Sequence, residues 1–381
     1  MTTPSLELTD GIGPRTPSWL RAWNRFWFTP ADPTGLGLMR LLAGLLIFYI
    51  HLVYSYDLFS YVGPHAWMDQ AAQKYVRKEA YVYYPENTWS DTTHTVDDVK
   101  GQYFWSIFYH VHDRASVVVI HVGILIVLLL FTAGLWTRVT SVLAWIGALQ
   151  YVNRLPTSMF GQDTMLIILL TYLMIGNSGA ALSVDRWLER RRLRREQGAN
   201  ADLGLKPSWS ANFAIRLVQI HFCMIYMTSG MSKLLGSAWW SGTALWFCLA
   251  NYNFAPMRVY MYNLLLWFLC QHMWLWQLFM TAGAVFTLFT EISFSYLVWN
   301  RRWRPIMVTC SVLMHLGIGL VMGLVVFSLL MLVMVIAFVP PDQIRVWVDD
   351  WAERFRRRLK PKGPPASRPA LVKEPPVLAR T

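Results

Sequence analysis

A lysine near the end of a long apolar stretch, Lys233, has the setting in this sequence that most favours chemistry. Tyr226 and Gly230 precede it on nearly the same face of a helix. An ammonium group among apolar side chains loses hydration, so the neutral amine becomes accessible and can act as a base or nucleophile. The alternative is that Lys233 extends to the lipid head groups, as lysines near the ends of such stretches commonly do.

The other ionisable residues within apolar stretches have simpler interpretations. Arg40 and Arg216 stand early in their stretches, where long side chains can reach the head groups. His121 and His221 are expected to be packed and hydrogen-bonded inside the protein. Asp163 opens a helix, where a carboxylate caps the first turn.

Glu291 leaves two interpretations open. It precedes a short basic link that contains Arg301 and Arg302. A structural ion pair with one of these arginines is the first interpretation, and a catalytic carboxylate at membrane depth is the second.

The elements that position these residues are predicted to be membrane helices. Of the 381 residues, 55% are hydrophobic and 15% are charged, whereas about 25% of residues are charged in a soluble domain. The apolar stretches are long enough to cross a bilayer as helices, and the sequence therefore predicts an all-α integral membrane protein with about eight transmembrane helices. The predicted spans are residues 36–55, 115–135, 138–154, 162–177, 211–232, 274–298, 305–322 and 324–340. The last two are predicted to form a hairpin through Gly317, Gly319 and Gly323.

Charge placement predicts the orientation of these spans. Basic residues exceed acidic ones in the loop 178–210, in the link 301–304 and in the tail 341–381, which the positive-inside rule places in the cytoplasm. The loop 56–114 has five basic and eight acidic residues and is predicted to lie outside. Eight spans with both termini in the cytoplasm satisfy this pattern. The sequence thus predicts a multi-pass protein of the plasma (inner) membrane.

Residues 1–35 form a predicted leader at the cytoplasmic interface, ahead of a polytopic transmembrane domain at 36–340. The leader is amphipathic, with tryptophans set among arginines, and the tail 341–381 is predicted to be partly disordered. Because the basic segments flank spans, their predicted partner is the lipid bilayer and not nucleic acid. The four cysteines show neither a C-x-x-C pair nor zinc spacing, which predicts no metal site and no disulfide.

The lysine segment resembles the motif of the vitamin K-dependent γ-carboxylases and of their bacterial relatives, the horizontally transferred transmembrane-domain (HTTM) family. The opening of the chain and the Met314-His315-Leu316 segment before the last apolar hairpin are also similar to that family, over roughly residues 25–340. Glu291 stands where those proteins carry a glutamate shortly before a basic link. The matching motif residues are Tyr226, Gly230, Lys233, Leu234, Trp239 or Trp240, and Gly242.

The resemblance implies a base-initiated reaction in the membrane. In the carboxylases, the lysine that matches Lys233 deprotonates a reduced naphthoquinone. Oxygen then converts the quinone to its epoxide through a strongly basic intermediate, which removes a γ-proton from a glutamate before CO2 adds. The catalytic residues implied here are Lys233, His315 and Asp163, and the cofactor is a reduced naphthoquinone. The implied substrate-binding residues are Tyr226, Gly230, Trp239, Trp240 and Glu291.

The sequence departs from that family in three places, one of which is a spacer between the lysine and the Trp/Gly pair that is about one residue longer here. The carboxylases carry a histidine in the segment that matches 153–166, where this chain has Gly161-Gln162-Asp163. The large extramembrane domain that docks the substrate of the animal enzymes is not expected here, and the acceptor stays unknown. Two alternatives are a non-enzymatic membrane module, which binds a lipid or quinone or serves as an accessory subunit, and a transporter. A transporter would show inverted repeats and interrupted spans.

Overall fold

The computed structural model describes residues 17–69, 72, 105–111, 113–155, 160–253 and 255–359. These residues form fifteen α-helices and contain no β-strand, apart from one isolated bridge between Ala31 and Ser208. The predicted all-α fold is therefore confirmed. Most of the predicted outer loop and the end of the basic tail lie outside the described residues.

The helices follow the apolar stretches of the sequence closely. The first seven are α1 (Ser18–Phe28), α2 (Thr34–Tyr54), α3 (Leu58–Val62), α4 (Arg114–Ala133), α5 (Thr137–Arg154), α6 (Gly161–Ile175) and α7 (Val184–Gln197). The next are α8 (Trp209–Leu234), α9 (Ser237–Trp240), α10 (Ala244–Leu249), α11 (Tyr260–Gln271), α12 (Met273–Leu297), α13 (Arg304–Val321), α14 (Val325–Val335) and α15 (Pro341–Leu359). Each predicted span coincides with one helix: α2, α4, α5, α6, α8, α12, α13 and α14.

Four of the described helical segments are long and apolar enough to cross a membrane, namely Thr34–Val62, α4, α12 and α13. A fifth results if the segment from Val325 to Phe338 and α15, which are bent by 116° to each other, count as one span. The helix α6 has 15 residues and is about 22 Å long, which is shorter than a bilayer core of about 30 Å. The helix α8 has 26 residues, but its interior face carries the buried polar residues Asn212 and Gln219.

Helix packing joins two groups of helices through α14 and through a direct contact of α6 with α8. The helix α2 packs along α4, α4 along α5, and α5 along α6. In the other group, α8 packs along α12, and α12 packs along α13. The helix α14 contacts α2, α6 and α8. Glycines permit the close approaches: a Cβ atom on Gly44 would lie 2.6 Å from Oγ1 of Thr132 on α4. Small residues serve this purpose widely in membrane helix pairs.

The hairpin between α13 and α14 turns at Gly323, whose φ of 72° favours glycine. Gly319 packs against Ser328, with 3.1 Å between its projected Cβ and the serine Cβ. Gly317, which was also expected in the hairpin, has no neighbour within 4 Å of such an atom. Two of the three predicted glycines therefore make the hairpin.

The prediction that Arg40 reaches the lipid head groups is wrong. Arg40 is fully buried, with 0% of its surface exposed, and its Nη2 donates a hydrogen bond of 2.5 Å to the carbonyl oxygen of Leu182. Gly134 makes room for the guanidinium, because a Cβ atom at that position would overlap Nη1. Arg40 thus ties α2 to the segment that leads into α7.

Candidate functional site

Lys233 and Glu291 form an ion pair between α8 and α12. Nζ of Lys233 donates to Oε1 of Glu291 at 2.8 Å and to Oγ of Ser229 at 2.6 Å, and Ser229 donates to the same carboxylate oxygen at 3.1 Å. The side chains of Lys233 and Glu291 are 22% and 8% exposed. Two sequence interpretations are corrected by this geometry. Lys233 does not extend to the head groups, and Glu291 pairs with neither Arg301 nor Arg302, because the α8–α12 contact gives it a nearer cation.

Gly230 sets the distance between the two helices at this point. A Cβ atom on Gly230 would lie 2.7 Å from Cγ1 of Ile292 and 3.3 Å from Cβ of Glu291. The missing side chain lets α8 and α12 approach until Lys233 reaches the carboxylate. This contact gives a physical reason for glycine one turn before the lysine.

Replacing Gly230 by alanine is expected to destabilise the protein by about 1–3 kcal/mol, because the added methyl group overpacks the α8–α12 contact. The matched control is Gly317→Ala in α13, where a Cβ atom meets nothing within 4 Å. That change should leave stability unchanged or raise it by up to about 1 kcal/mol through helix propensity. Thermal unfolding of the two variants in detergent measures the difference, and equal melting temperatures would refute the close approach.

A second set of polar side chains lies beside the ion pair. The hydroxyl group of Tyr226 is hydrogen-bonded to Oγ of Ser311 and to Nε2 of His315, both at 2.7 Å, and thus joins α8 to α13. All three residues are buried. Nδ1 of His315 and Oε2 of Glu291 are buried without a hydrogen-bond partner in the described part of the chain. Buried polar atoms are normally satisfied, so these two point to a ligand, a water molecule or a transferred proton.

The two tryptophans of the predicted site have different surroundings. The ring of Trp239 lies 5.4 Å from Nζ of Lys233, within the range of a cation–π interaction. Trp240 is 72% exposed, and its indole nitrogen donates to the carbonyl oxygen of Leu234 at 2.8 Å. Trp239 therefore belongs to the Lys233 cluster, whereas Trp240 caps the end of α8.

The structure does not bring Asp163 into this cluster. Its carboxylate accepts a hydrogen bond of 2.9 Å from the backbone N–H of Phe160, so the predicted capping role is confirmed. Asp163 also lines a cavity of about 480 Å³ together with the aromatic residues Tyr54, Tyr61 and Tyr151.

The two histidines that were expected to be packed have hydrogen-bond partners. His121 contacts the hydroxyl of Tyr151 through Nδ1 at 2.5 Å and the hydroxyl of Ser55 through Nε2 at 2.7 Å. Nδ1 of His221 lies 3.0 Å from the hydroxyl of Tyr172. The interpretation of His121 and His221 as packed, hydrogen-bonded residues is therefore confirmed.

An apolar groove of about 410 Å³ adjoins the Asp163 cavity. It runs between Phe160–Gln162 at the start of α6 and the segment 323–327 at the start of α14. Phe160 and Gln162 line both spaces. The ring of Phe327 in the groove lies 5.8 Å from the ring of His315. Phe327 is therefore a wall residue of the groove that also contacts the buried histidine, which does not itself line the groove.

Sequence reasoning missed two members of the site, Ser229 and Ser311. Each stands four residues before a predicted site residue, Lys233 and His315 respectively, and therefore on the same helical face. That spacing was the signal available in the sequence. Ser229 accepts a hydrogen bond from Lys233. Ser311 is hydrogen-bonded to Tyr226, which also contacts His315.

The chain matches no protein-family model, no curated protein and no solved structure. No three histidine, cysteine, aspartate or glutamate side chains among the described residues are grouped as a metal ion would require. What the cluster can do therefore follows from its donors, acceptors and surroundings. It offers a primary amine that contacts a carboxylate, and a tyrosine two helix turns before that amine, Tyr226, which is hydrogen-bonded to His315 of α13.

Proposed function

We propose that this protein is a membrane enzyme of the vitamin K-dependent γ-carboxylase-like (HTTM) family, with Lys233 as the base that acts on a reduced naphthoquinone. One observation carries the proposal. Lys233, the lysine of the matching motif, lies mostly buried with its amine 2.8 Å from the carboxylate of Glu291. A base at membrane depth needs a nearby group that takes up its proton, and Glu291 is such a group.

The low dielectric around the pair favours this role. Two charges removed from water carry a desolvation cost of several kcal/mol per ion. In the proposed mechanism, one proton passes from Nζ of Lys233 to Oε1 of Glu291, which leaves a neutral amine and a neutral acid. The amine of Lys233 then has a free electron pair, and Ser229 keeps the amine in place through its own hydrogen bond.

The surroundings of the cluster fit a flat apolar ring with oxygen substituents. Phe160, Val325 and Phe327 would hold the ring in the apolar groove, and Phe327 contacts the ring of His315, whose Nδ1 has no partner in the described chain. When bound, a reduced naphthoquinone would supply the four electrons that reduce O2, two in its oxidation to the quinone and two in the epoxidation, so that quinol and O2 give quinone epoxide and water. Tyr226 fixes the ring of His315 through Nε2. CO2 would add to a carbon acid of an acceptor that is still to be identified.

The proposed setting is the plasma (inner) membrane, crossed eight times with both termini in the cytoplasm. The basic helix α7, the arginine link before α13 and the start of α8 would then face inward, and Lys233 would lie near the outer side. The backbone bridge of Ala31 to Ser208 supports a common side for the leader and the start of α8.

Labelling of single cysteines is expected to report this orientation. In a variant without the four native cysteines, Ser237→Cys after α8 should react with a membrane-impermeant maleimide added to intact spheroplasts. Glu196→Cys at the end of α7 should react only after permeabilisation. Ser237 and Glu196 are both exposed, so the access of the maleimide to each cysteine differs only by the side of the membrane on which it lies. Labelling of both from outside would overturn the proposed topology.

A direct assay tests the proposed reaction. The full chain in lipid nanodiscs receives a reduced naphthoquinone, O2 and labelled bicarbonate, and quinone epoxide is measured with arms that omit the quinol or the oxygen. Epoxide that requires protein, quinol and O2 supports the proposal. No epoxide from folded protein across several naphthoquinones would sink it.

A non-enzymatic membrane module is the second candidate, and one observation favours it. The amine of Lys233 is satisfied by two hydrogen-bond acceptors and a tryptophan ring, as in a structural ion pair. Under this candidate the apolar groove holds a lipid or quinone without chemistry. Saturable quinone binding without turnover would distinguish it from the enzyme.

A further inference from the structure

A small cavity with two arginines lies at the opposite end of α8 from Lys233. Its volume is about 120 Å³, and it is enclosed by the first turns of α2, α8 and α13 and by the segment 336–344 that follows α14. Arg216 of α8 and Arg304 of α13 both line it, with the polar side chains of Asn212 and Gln219. We infer that this cavity binds the phosphate group of an anionic lipid.

The two guanidinium groups leave hydrogen-bonding capacity unused. Arg216 lies over the ring of Phe26 at 4.4 Å and donates through Nη1 to Oε1 of Gln219 at 2.9 Å, while its buried Nε has no partner in the described chain. Arg304 donates through Nε to the carbonyl oxygen of Val298 at 3.1 Å. Neither arginine takes part in the ion pairs found among the described residues.

Two like charges around one cavity favour the binding of an opposite charge. Arg216 and Arg304 repel each other, and half-buried charges are screened less than exposed ones. A phosphate group would neutralise the two positive charges and accept hydrogen bonds from them, since the planar guanidinium fork matches phosphate and forms charge-assisted hydrogen bonds with it. The cavity has room for a group of several heavy atoms and not for acyl chains, which fits a head group that enters from the bilayer.

The surroundings place the cavity at the level of lipid head groups. The amphipathic helices α1 and α15 flank it. Nη1 of Arg345 on α15 lies 3.2 Å from Oδ2 of Asp32, in the segment between α1 and α2. Ile344 of α15 forms part of the wall. Both helices expose tryptophans, which favour the membrane–water interface. These are Trp19, Trp23, Trp347 and Trp351. Basic pockets at helix ends on this level bind anionic head groups in other membrane proteins.

Thermal unfolding of the full chain in detergent tests the inference, with phosphatidylglycerol, phosphatidylcholine and inorganic phosphate as separate probes. Phosphatidylglycerol is expected to raise the melting temperature of the wild type in a saturable manner. The double variant Arg216→Gln, Arg304→Gln should weaken its apparent affinity at least about tenfold, since it removes the charge-assisted hydrogen bonds of both guanidinium groups to phosphate. The matched control is Arg301→Gln, Arg302→Gln, which removes the same charge from exposed positions of the same link and should keep wild-type affinity.

Each outcome has a defined meaning. Equal losses in the two double variants, or no stabilisation of the wild type by any probe, would overturn the inference, because bulk charge and not a site would then explain lipid binding. Stabilisation by inorganic phosphate at the same concentration as phosphatidylglycerol would support the phosphate site and assign it to a soluble ligand instead of a lipid. If the double variant does not fold, Arg304→Lys serves instead. It keeps the charge and loses the fork, so wild-type affinity in this variant would contradict the guanidinium contact.

Discussion

Replacing Lys233 by arginine is expected to preserve the fold and to abolish quinol oxidation. Arginine keeps a positive charge for Glu291, so the charge balance between α8 and α12 persists. A guanidinium group cannot give up its proton in a protein, and the variant therefore has no base at this position. A positioned base typically accelerates proton transfer by about 10²–10⁴-fold, which sets the expected loss in epoxide formation.

Two measurements in the same preparation separate chemistry from folding. The melting temperature of Lys233→Arg should lie close to that of the wild type while the rate of epoxide formation falls. Lys206→Arg, at an exposed lysine, is the matched control and should change neither quantity. Undiminished turnover in Lys233→Arg would show that the lysine is not the base.

Replacing Glu291 by leucine is expected to cause the largest loss of stability, about 3 kcal/mol. The change leaves the ammonium group of Lys233 without an opposite charge in a mostly buried position, and breaking a buried pair from one side is strongly destabilising. Replacing both partners, as in Lys233→Met with Glu291→Leu, should restore most of this loss, because two apolar side chains need no counter-charge. Denaturant unfolding in detergent gives the free energy of unfolding of the wild type, both single variants and the double variant.

The exposed pair between Arg357 and Glu353 on α15 provides the comparison. Its side chains are 74% and 60% exposed, so Glu353→Leu should cost far less stability than Glu291→Leu. If Glu291→Leu cost no more than Glu353→Leu, the pair between α8 and α12 would not form in the membrane protein. If the double variant Lys233→Met, Glu291→Leu were as unstable as Glu291→Leu alone, the loss of stability would come from packing and not from the unpaired charge.

The helices were predictable because lipid allows few backbone arrangements. A long apolar stretch without alternation has to satisfy its own N–H and C=O groups, so all eight stretches became helices. Whether each helix crosses the membrane depends on length and tilt, which hydropathy alone does not give. The helices α6, with 15 residues, and α14, with 11, are short for a crossing. The burial of Arg40 was also not predictable from hydropathy, because it depends on the space that Gly134 leaves for the guanidinium group.

The candidate site was predictable along each helix and not between helices. Spacing on one face placed Tyr226, Gly230 and Lys233 together. The partner of Lys233 could not be read from spacing, because the face of α12 that meets α8 depends on the contact of Gly230 with Ile292. Asp163 illustrates the converse, since it was predicted in the site as the residue of the segment where the carboxylases carry a histidine, and the fold placed it in a separate aromatic cavity.

Oxygen-dependent epoxide formation by the wild type and by Lys233→Arg, measured side by side in nanodiscs, tests most directly whether Lys233 is the base. The proposed mechanism predicts epoxide from the wild type and none from the variant at equal melting temperature. Equal epoxide from both, or none from the wild type with any naphthoquinone, would contradict Lys233 as the base and leave the Lys233–Glu291 pair as a structural contact between two membrane helices.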